Sequence, residues 1–434
     1  MKGAIHEQLT TVLKIENVDI KQTIGRRQSN SPLGPKMSCP TAIHRKKCAV
    51  FSHNLERNGA NKFLLNLLEG LSKDLEFELF STKSGPIEQD FRERGIPIHI
   101  LQVRDGKDLE NQLKEIRHFD LSIINTIMLA PIVLMCEKLS IPHIWVIHEV
   151  WPRHKFEYYA KEVFLMSHVV DKETIVKAFA KVNRVVFPSK AQQKLYSDLL
   201  ADEKAKVIYN GILTEPIDNF KASFSPEEVR KDLHYQMDDN IVLHIGTVCK
   251  RKAQKLTVSA FAKFCKEHEA VARNPKLLIV GARHIRPHEI QYLDELKTDI
   301  KDKGLEDKVR ILEATRNVLP YYLAADVVVC PSLNDALPMV IGEAMACERP
   351  VIASIIGGIP EAIDDGLDGF LIPCGDVSAL AAVMGKLLND KQLRFQMGQR
   401  GRRRIVKQFS LNKMVKKYRQ VISTVCPECC PINS

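Results

Sequence analysis

The sequence comprises 434 residues, of which 45% are hydrophobic, and is long enough to form two domains with separate cores. Its formal net charge is +10, but no DNA-binding or RNA-binding motif accompanies this charge and only 6% of the residues are aromatic, so nucleic-acid binding is not expected. No apolar segment is long and charge-free enough to span a membrane, and the first residues lack the apolar core of a secretory signal, so the cytosol is the predicted compartment.

Strand and helix patterns alternate along most of the chain, which predicts parallel sheets with helices on both faces. Residues 1–43 precede the first strand and are expected to form a flexible N-terminal extension. A first domain is predicted over residues 44–210, in which the first strand, Cys48 to Ser52, leads through a turn into an amphipathic helix. Further strands of this domain are predicted at residues 76–81, 97–101, 121–125, 143–148, 184–187 and 206–209.

A second domain is predicted over residues 211–410. Asn210 and Gly211 form a turn signal between the two predicted sheets. A terminal helix over residues 411–424 and a flexible tail over residues 425–434 are expected after this domain. The strands of the second domain are predicted at residues 241–245, 277–280, 309–312, 327–330, 351–353 and 370–372.

The sequence has 11 cysteines. Several of them, Cys48, Cys249, Cys330 and Cys347, lie in or beside predicted core strands and motifs. Cysteine behaves as a small hydrophobic residue in such places, so reduced thiols are expected.

Basic residues follow the first strand of the second domain. The segment from His244 to Ala253 passes through Gly246 and reaches Arg251 and Lys252 just before a helix. Ligands of α/β sheets bind at strand ends, and two cations there would neutralise a diphosphate leaving group. A basic surface turn is the alternative interpretation.

The most informative segment lies between residues 326 and 361. A buried strand, Val327 to Cys330, leads into a turn with Asp335, and Pro338 is predicted at the first position of a helix that contains Glu343. The N-terminus of that helix can bind a diphosphate without a metal, because its first N–H groups lack intrahelical partners. Glu343 could then accept hydrogen bonds from a ribose. Alternatively, Asp335 only caps the helix and Glu343 is a solvated helix residue.

This segment resembles the signature of the retaining glycosyltransferase family 4. The shared pattern is an acidic residue, seven further residues, Glu followed by Ala-Met-Ala, and a Pro-Val-Ile-Ala strand. The resemblance implies the GT-B fold, in which two Rossmann-like, doubly wound parallel-sheet domains face each other across a cleft and the terminal helix crosses back to the first domain. The chain departs from the family pattern in having Asp335 instead of Glu, Thr247 instead of Arg, and Ala253 instead of Gly.

The resemblance also implies roles for individual residues. Asp335 would contact the donor sugar, Glu343 the ribose, and backbone groups near Ile311 and Leu312 the nucleobase. In the first domain, Gly59 would bring backbone against the donor. The complete set of donor-binding candidates is Gly59, Gly246, Arg251, Lys252, Ile311, Leu312, Asp335, Ala336, Leu337, Pro338, Met339, Val340 and Glu343.

The catalytic candidates are Arg251, Lys252, Asp335 and His148, the last of which follows a first-domain strand. In family members a His at such a strand end approaches the transferred sugar, although a lone His there can also be structural. His53, Asn125 and Glu149 are candidates on the acceptor side. The turn from Gly357 to Glu361 also matches the family and is either structural or a ligand contact.

The resemblance implies a retaining glycosyltransferase that uses a nucleotide-diphosphate sugar, a UDP- or GDP-sugar above all, and requires no metal or other cofactor. The acceptor would be a hydroxyl of a glycan, a lipid or a small molecule. A nucleotide-sugar hydrolase or epimerase, and a catalytically silent nucleotide-sugar-binding scaffold, are the alternatives. The departures from the family pattern at Asp335, Thr247 and Ala253 favour the catalytically silent scaffold.

Much of the positive charge is clustered in the first 47 residues and in the C-terminal helices. Such basic surfaces suit anionic donors, lipid-linked acceptors and the cytoplasmic face of an anionic membrane, which the protein would contact peripherally. Solvated helix faces are the alternative.

Overall fold

In the part of the chain that the structure describes, two parallel sheets of seven and six strands form the framework. A computed structural model describes residues 45–102, 111–112, 114–163, 170–267 and 274–430. The N-terminal extension predicted at residues 1–43 lies outside them. Because every strand pair in both sheets is parallel, the predicted α/β class with two parallel-sheet domains is confirmed.

The first sheet has the strand order β3-β2-β1-β4-β5-β6-β7. Its strands are β1 (Lys46–Ser52), β2 (Leu75–Ser81), β3 (Ile98–Ile100), β4 (Leu121–Asn125), β5 (His143–Val146), β6 (Arg184–Phe187) and β7 (Ala205–Val207). The helices of this half are α1 (Gly59–Leu71), α2 (Glu88–Arg92), α3 (Ala130–Lys138), α4 (Phe156–Tyr158), α5 (Lys172–Lys181) and α6 (Lys190–Leu195).

The second sheet has the order β10-β9-β8-β11-β12-β13. Its strands are β8 (Asn240–Ile245), β9 (Pro275–Ala282), β10 (Val309–Glu313), β11 (Val327–Cys330), β12 (Val351–Ser354) and β13 (Phe370–Ile372). The helices from this half to the end of the described chain are α7 (Glu215–Ser223), α8 (Pro226–Asp232), α9 (Gln254–Glu267), α10 (Pro287–Asp302), α11 (Leu319–Ala324), α12 (Met339–Ala346), α13 (Ile359–Ala362), α14 (Val377–Asn389), α15 (Lys391–Gln408) and α16 (Leu411–Val425).

The central strands are buried on both faces, as parallel sheets require. Every residue of β4 and of β11 is buried; β11 is accordingly a continuous apolar run, whereas β4 also buries Ser122 and Asn125. Three strand predictions are longer than the observed strands. The strand predicted at residues 143–148 ends at Val146, so His148 lies in the loop that follows it.

Helix α16 packs against α1 of the first sheet. A methyl carbon of Val415 occupies the space in which a Cβ on Gly70 would stand, at 2.3 Å, and Arg419 pairs with Asp74 at 2.9 Å. The aromatic rings of Tyr418 and Phe63 also meet, with centroids 6.0 Å apart. These contacts tie the end of the chain to the same helix that carries Gly59 at its N-terminus.

The tail predicted at residues 425–434 differs from the structure in its described part. Helix α16 extends to Val425, and Cys426 and Cys429 form a disulfide, so the expectation of reduced thiols throughout is wrong for this pair. Cys430 is buried beside them, and Glu428 pairs with Lys46 at 2.9 Å. Apolar burial and this ion pair therefore hold the segment against the first domain. The four cysteines placed near core strands, Cys48, Cys249, Cys330 and Cys347, are free thiols.

No helix among the described residues is long and apolar enough to cross a membrane.

Candidate active site between the two sheets

The two sheets place their carboxyl edges at a shared cleft. In the first sheet β1 lies between β2 and β4, and in the second β8 lies between β9 and β11, so each sheet reverses its strand order beside its first strand. Loops that follow neighbouring strands on either side of such a point diverge and leave a crevice for a ligand. The loops after β1, β4, β8 and β11 carry most of the residues selected from the sequence.

Asp335 is the centre of a charged cluster on the second domain. Its Oδ2 lies 2.5 Å from Nζ of Lys252 and 3.1 Å from a guanidinium nitrogen of Arg251. The hydroxyl of Ser332 donates to the same oxygen at 3.1 Å. Although burial raises the pKa of the Asp335 carboxyl, the two cations outweigh burial and lower it below its usual value. The structure therefore brings three of the four catalytic candidates together.

Lys252 and Arg251 lie in a tight turn, Lys250–Lys252, in the loop that follows β8. Ala253 ends this turn with a left-handed backbone, φ 60°, which explains why glycine suits this position. Lys252 is buried, whereas Arg251 donates from its guanidinium to the carbonyl of Asn334 at 3.0 Å. Gly246 precedes the turn and also has a positive φ, 137°. The turn thus holds two cations against the loop that leads into α12.

The loop before α12 is supported by the glycine turn after β12. The N–H of Gly358 donates to the carbonyl of Ala336 at 2.6 Å. A Cβ on Gly357 would lie 2.0 Å from the carbonyl oxygen of Asp335, and the φ of Gly357 is 49°. Glycine is therefore required here by close approach and by backbone geometry. Leu337 and Met339 are buried, and Val340 is half-buried.

Pro338 differs slightly from its predicted place. The helix α12 begins at Met339, and Pro338 precedes it with an extended backbone, φ −68° and ψ 129°. Its carbonyl accepts a hydrogen bond from the N–H of Ile341 at 3.2 Å, as expected of a residue that caps a helix. Helix α12 therefore begins one residue later than predicted, still directly after the loop that contains Asp335.

Glu343 lies on α12 and is 8% exposed. One carboxylate oxygen accepts a hydrogen bond from the hydroxyl of Tyr322 at 2.9 Å. The other lies 2.5 Å from Nζ of Lys62, which belongs to α1 of the first domain. Glu343 is thus neither solvated nor isolated, contrary to the simpler interpretation of its place in the sequence.

Sequence reasoning missed Lys62. In the sequence it is one more polar residue on an amphipathic helix. The available signal was its position three residues after Gly59, at a helix start that faces the cleft. Gly59 itself begins α1 rather than lying in the preceding turn, and it is exposed, with no atom within 4 Å of the position a Cβ would take. The side chain of Asn58 caps this helix by accepting from the N–H of Asn61 at 3.0 Å.

Ile311 and Leu312 lie on β10, the edge strand two positions from β8. Their side chains are half-buried and pack against different apolar clusters, as expected for adjacent strand residues. Among the described residues β10 pairs only with β9, so its outer backbone groups take no part in the sheet.

On the first domain, His148 contacts Asn125 at the end of β4. Nε2 of His148 lies 2.9 Å from Oδ1 of Asn125, whose amide nitrogen donates to the carbonyl of Ala60 at 3.3 Å. The ring of Phe63 meets the imidazole edge to face at 4.8 Å. Burial lowers the pKa of His148 to about 4, so the ring is neutral at neutral pH.

The acceptor-side candidates surround this pair. The carboxylate of Glu149 accepts from the N–H groups of Ile127 at 3.0 Å and His148 at 3.1 Å, and burial raises its pKa to about 7. Thr126 has a φ of 99°, a strained conformation for a β-branched residue, and its hydroxyl lies 3.2 Å from Nδ1 of His53. Backbone strain held by surrounding bonds is typical of functional sites.

The described residues contain no group of three or more His, Cys, Asp or Glu side chains that could hold a metal ion. Lys62, Arg251, Lys252 and the N-terminus of α12 supply positive charge at the cleft.

Two family models match the chain. The model for glycosyl transferases group 1 matches residues 225–404, and the model for glycosyltransferase family 4 matches residues 57–215. The first match contains the cluster around Asp335, and the second contains Lys62, Asn125 and His148.

Curated relatives match over about half of their own length. The chain is 31% identical over 194 residues to N-acetyl-alpha-D-glucosaminyl L-malate synthase of Bacillus anthracis, covering 45% of this chain and 48% of that protein. It is 29% identical over 252 residues to D-inositol 3-phosphate glycosyltransferase of Kineococcus radiotolerans, covering 55% of this chain and 56% of that protein.

Solved structures share the whole architecture at lower identity. The Anabaena protein Alr3699/HepE in complex with UDP is 19% identical, with a TM-score of 0.74 over 87% of this chain and 100% of that chain. WaaG, a glycosyltransferase involved in lipopolysaccharide biosynthesis, is 16% identical, with a TM-score of 0.70 over 87% of this chain and 99% of that chain. These matches confirm the predicted GT-B arrangement.

Proposed function

Because the chain belongs to the group 1, family 4 glycosyltransferases, we propose that it is a retaining enzyme that transfers a sugar from a nucleotide-diphosphate sugar to an acceptor hydroxyl. The observation that carries this proposal is the cluster of Asp335, Arg251 and Lys252 at the start of α12, with Glu343 further along the same helix. It combines two cations and a helix N-terminus with a carboxylate in each direction, which suits a diphosphate flanked by two sugars.

In this arrangement the diphosphate lies against the first N–H groups of α12, between Lys252 and Arg251. The ribose lies toward Glu343, and the transferred sugar lies toward Asp335 and His148. The nucleobase meets the backbone of β10 near Ile311 and Leu312. Gly59 and Gly246 leave room for the donor from either domain.

The donor is proposed to be a UDP-sugar in the first instance. The Anabaena protein of the same fold has been crystallised with UDP and with UDP-glucose, at 19% and 20% identity respectively. The relatives from Bacillus anthracis and Kineococcus radiotolerans are named for transfer to L-malate and to inositol 3-phosphate, which are hydroxyl acceptors. A hydroxyl acceptor is therefore proposed here, without a choice among glycan, lipid and small molecule.

The proposed reaction proceeds on one face of the sugar. The acceptor oxygen bonds to the anomeric carbon as the bond from that carbon to the phosphate oxygen breaks, and the leaving phosphate takes the acceptor proton. Lys252, Arg251 and the N-terminus of α12 stabilise the negative charge that develops on the leaving group. The imidazole of His148, neutral near pH 7, accepts a hydrogen bond from a hydroxyl of the transferred sugar.

No metal is required in this proposal, because protein cations and helix N–H groups supply the positive charge. Peripheral contact with an anionic membrane stays a separate prediction. Part of the C-terminal positive charge is already paired within the protein, since Arg402 bonds Asp218 at 2.6 Å and Arg404 pairs with Asp364.

The first test is a binding screen of the purified protein against UDP, GDP, ADP and their common sugar conjugates. Thermal shift and titration calorimetry are run in the presence of a chelator, with Lys252→Ala and with Lys250→Ala as the matched control. Lys250 lies in the same turn but is exposed. The proposal expects binding of one nucleotide that is lost in Lys252→Ala and kept in Lys250→Ala.

Turnover then separates the alternatives. Donor consumption that depends on an added hydroxyl acceptor supports a transferase, whereas equal consumption without acceptor supports a hydrolase or epimerase. Binding without turnover under any acceptor supports a silent nucleotide-sugar-binding protein. No binding by a folded protein would overturn the proposed function.

A further inference from the structure

One ion pair crosses the cleft directly at the proposed ribose position. Nζ of Lys62, on α1 of the first domain, lies 2.5 Å from Oε1 of Glu343, on α12 of the second domain. The Lys62 side chain is 45% exposed, whereas the Glu343 side chain is only 10% exposed. The lysine therefore reaches from a solvated helix surface to a carboxylate that is almost withdrawn from water.

The pair has a clear electrostatic reason. A nearly buried carboxylate is unfavourable unless it is hydrogen-bonded or paired with a cation. The hydroxyl of Tyr322 satisfies one oxygen of Glu343 at 2.9 Å, and Lys62 neutralises the other. Lysine carries a compact charge on a flexible four-carbon chain, so its ammonium can exchange one anionic partner for another without moving the helix.

A bound nucleotide would compete for both members of this pair, its ribose for Glu343 and its diphosphate for Lys62. Ribose hydroxyls bound by Glu343 need the carboxylate oxygen that Lys62 now contacts. The diphosphate at the start of α12 lies about four residues away, which is roughly 6 Å along a helix. That distance is within reach of a lysine that already spans the cleft.

We propose that Lys62 is an exchangeable counter-ion, which pairs with Glu343 in the unliganded protein and moves to the diphosphate when the donor binds. The inference rests on the proposed function of the site. Lys62 thereby becomes a part of the donor site only when phosphates are present. A nucleoside alone must displace Lys62 from Glu343 with no new partner for the lysine, whereas a nucleoside diphosphate supplies that partner.

The ratio of two dissociation constants tests this exchange. Titration calorimetry measures nucleoside and nucleoside diphosphate binding for each base, beginning with uridine and UDP. Relative to the unaltered protein, Lys62→Met is expected to reduce the preference for the diphosphate by roughly 10-fold or more, the value of one charge-assisted hydrogen bond. The reduction comes from weaker diphosphate binding together with unchanged or tighter nucleoside binding.

Two control variants separate the role of Lys62 from the effect of removing any lysine of this domain. Lys73→Met removes an exposed lysine of the same domain and is expected to leave the ratio unchanged. Lys62→Arg retains a cation and is expected to restore most of the preference. A diphosphate preference that is the same in Lys62→Met and in the unaltered protein would overturn the inference alone. Failure of the unaltered protein to bind any nucleoside diphosphate would overturn the proposed function, and this inference with it.

Discussion

Asn125 determines which ring nitrogen of His148 carries the proton. The amide nitrogen of Asn125 donates to the carbonyl of Ala60 at 3.3 Å, and a carbonyl can only accept, so Oδ1 faces His148. Oδ1 also only accepts, and Nε2 of His148, 2.9 Å away, must therefore bear the hydrogen. The neutral ring then presents a lone pair at Nδ1, ready to accept from a hydroxyl.

In Asn125→Leu nothing holds the hydrogen on Nε2 of His148, so we expect a mixture of the two neutral tautomers. The charge of the site does not change. We expect kcat to fall by about 10-fold, as for loss of one positioned proton acceptor, and the KM for the donor to stay within about 2-fold. Nitrogen-15 NMR of histidine-labelled protein should report Nε2–H in the unaltered protein and a mixture of tautomers in Asn125→Leu. A single unchanged tautomer in the variant would contradict the assignment.

The sequence predicted the framework well because the relevant signals are local. The strands Leu121–Asn125, Arg184–Phe187 and Val327–Cys330 have their predicted bounds, since each is a short, mostly apolar segment between polar turns. The cluster around Asp335 was accessible for a similar reason, because strand ends in parallel sheets converge on one edge.

Contacts between distant parts of the chain were not accessible in this way. Lys62 and Glu343 are 281 positions apart, and no local pattern brings an exposed helix lysine to one particular carboxylate. The same holds for the hydrogen bond between Asn125 and His148, which depends on the rotation of two side chains. The disulfide between Cys426 and Cys429 was missed because apolar burial of cysteine does not reveal its oxidation state.

Removal of Lys252 is expected to destabilise the protein through Asp335. The carboxylate would keep only Arg251, 3.1 Å away and 47% exposed, as a cationic partner. We expect Lys252→Met to lower the free energy of unfolding by about 1–3 kcal/mol, below the cost of leaving a buried charge with no partner at all. Urea unfolding at pH 7 measures the loss.

A second substitution tests the electrostatic reason for that loss. In Lys252→Met combined with Asp335→Asn, the carboxylate that needs a cation is absent. The combined loss of stability is therefore expected to be smaller than the sum of the two single losses. Additive losses would mean that Lys252 stabilises the turn through packing rather than through its charge.

Glu149 is expected to make stability depend on pH. Its folded pKa is about 7, raised by burial from 4.5, so its stabilising contribution is complete below about pH 4.5 and is lost as the pH rises through 7. Glu149→Gln removes this titration while its side-chain oxygen can still accept from the N–H groups of Ile127 and His148. The stability of Glu149→Gln relative to the unaltered protein should therefore increase between pH 5 and pH 8.

The size of this change follows from the pKa shift. A folded pKa of about 7 in place of 4.5 corresponds to a gain for Glu149→Gln on the order of 3 kcal/mol across the full range. Urea unfolding of both proteins at several pH values measures the difference, and the titrations of His53 and His148 cancel because both proteins share them. Parallel pH profiles would mean that Glu149 is solvated enough to titrate normally.

Gly357, in the glycine turn after β12, and Gly366, in the loop after α13, offer a matched pair of substitutions that separates backbone strain from steric overlap. Gly357 and Gly366 both have positive φ, 49° and 74°, so alanine at either position carries the left-handed penalty of about 1–2 kcal/mol. A Cβ at Gly366 meets open space, whereas a Cβ at Gly357 would lie 2.0 Å from the carbonyl oxygen of Asp335.

Gly357→Ala must therefore displace the loop that carries Asp335 and Ala336, in addition to straining its own backbone. We expect a further loss of about 1–3 kcal/mol in unfolding free energy relative to Gly366→Ala, as for other overpacked sites. Nucleoside diphosphate binding should weaken in Gly357→Ala and stay unchanged in Gly366→Ala, because only the first substitution moves the start of α12. Equal binding by the two variants would mean that the loop can move without disturbing the anion site. The glycine turn would then contribute to folding and not to ligand binding.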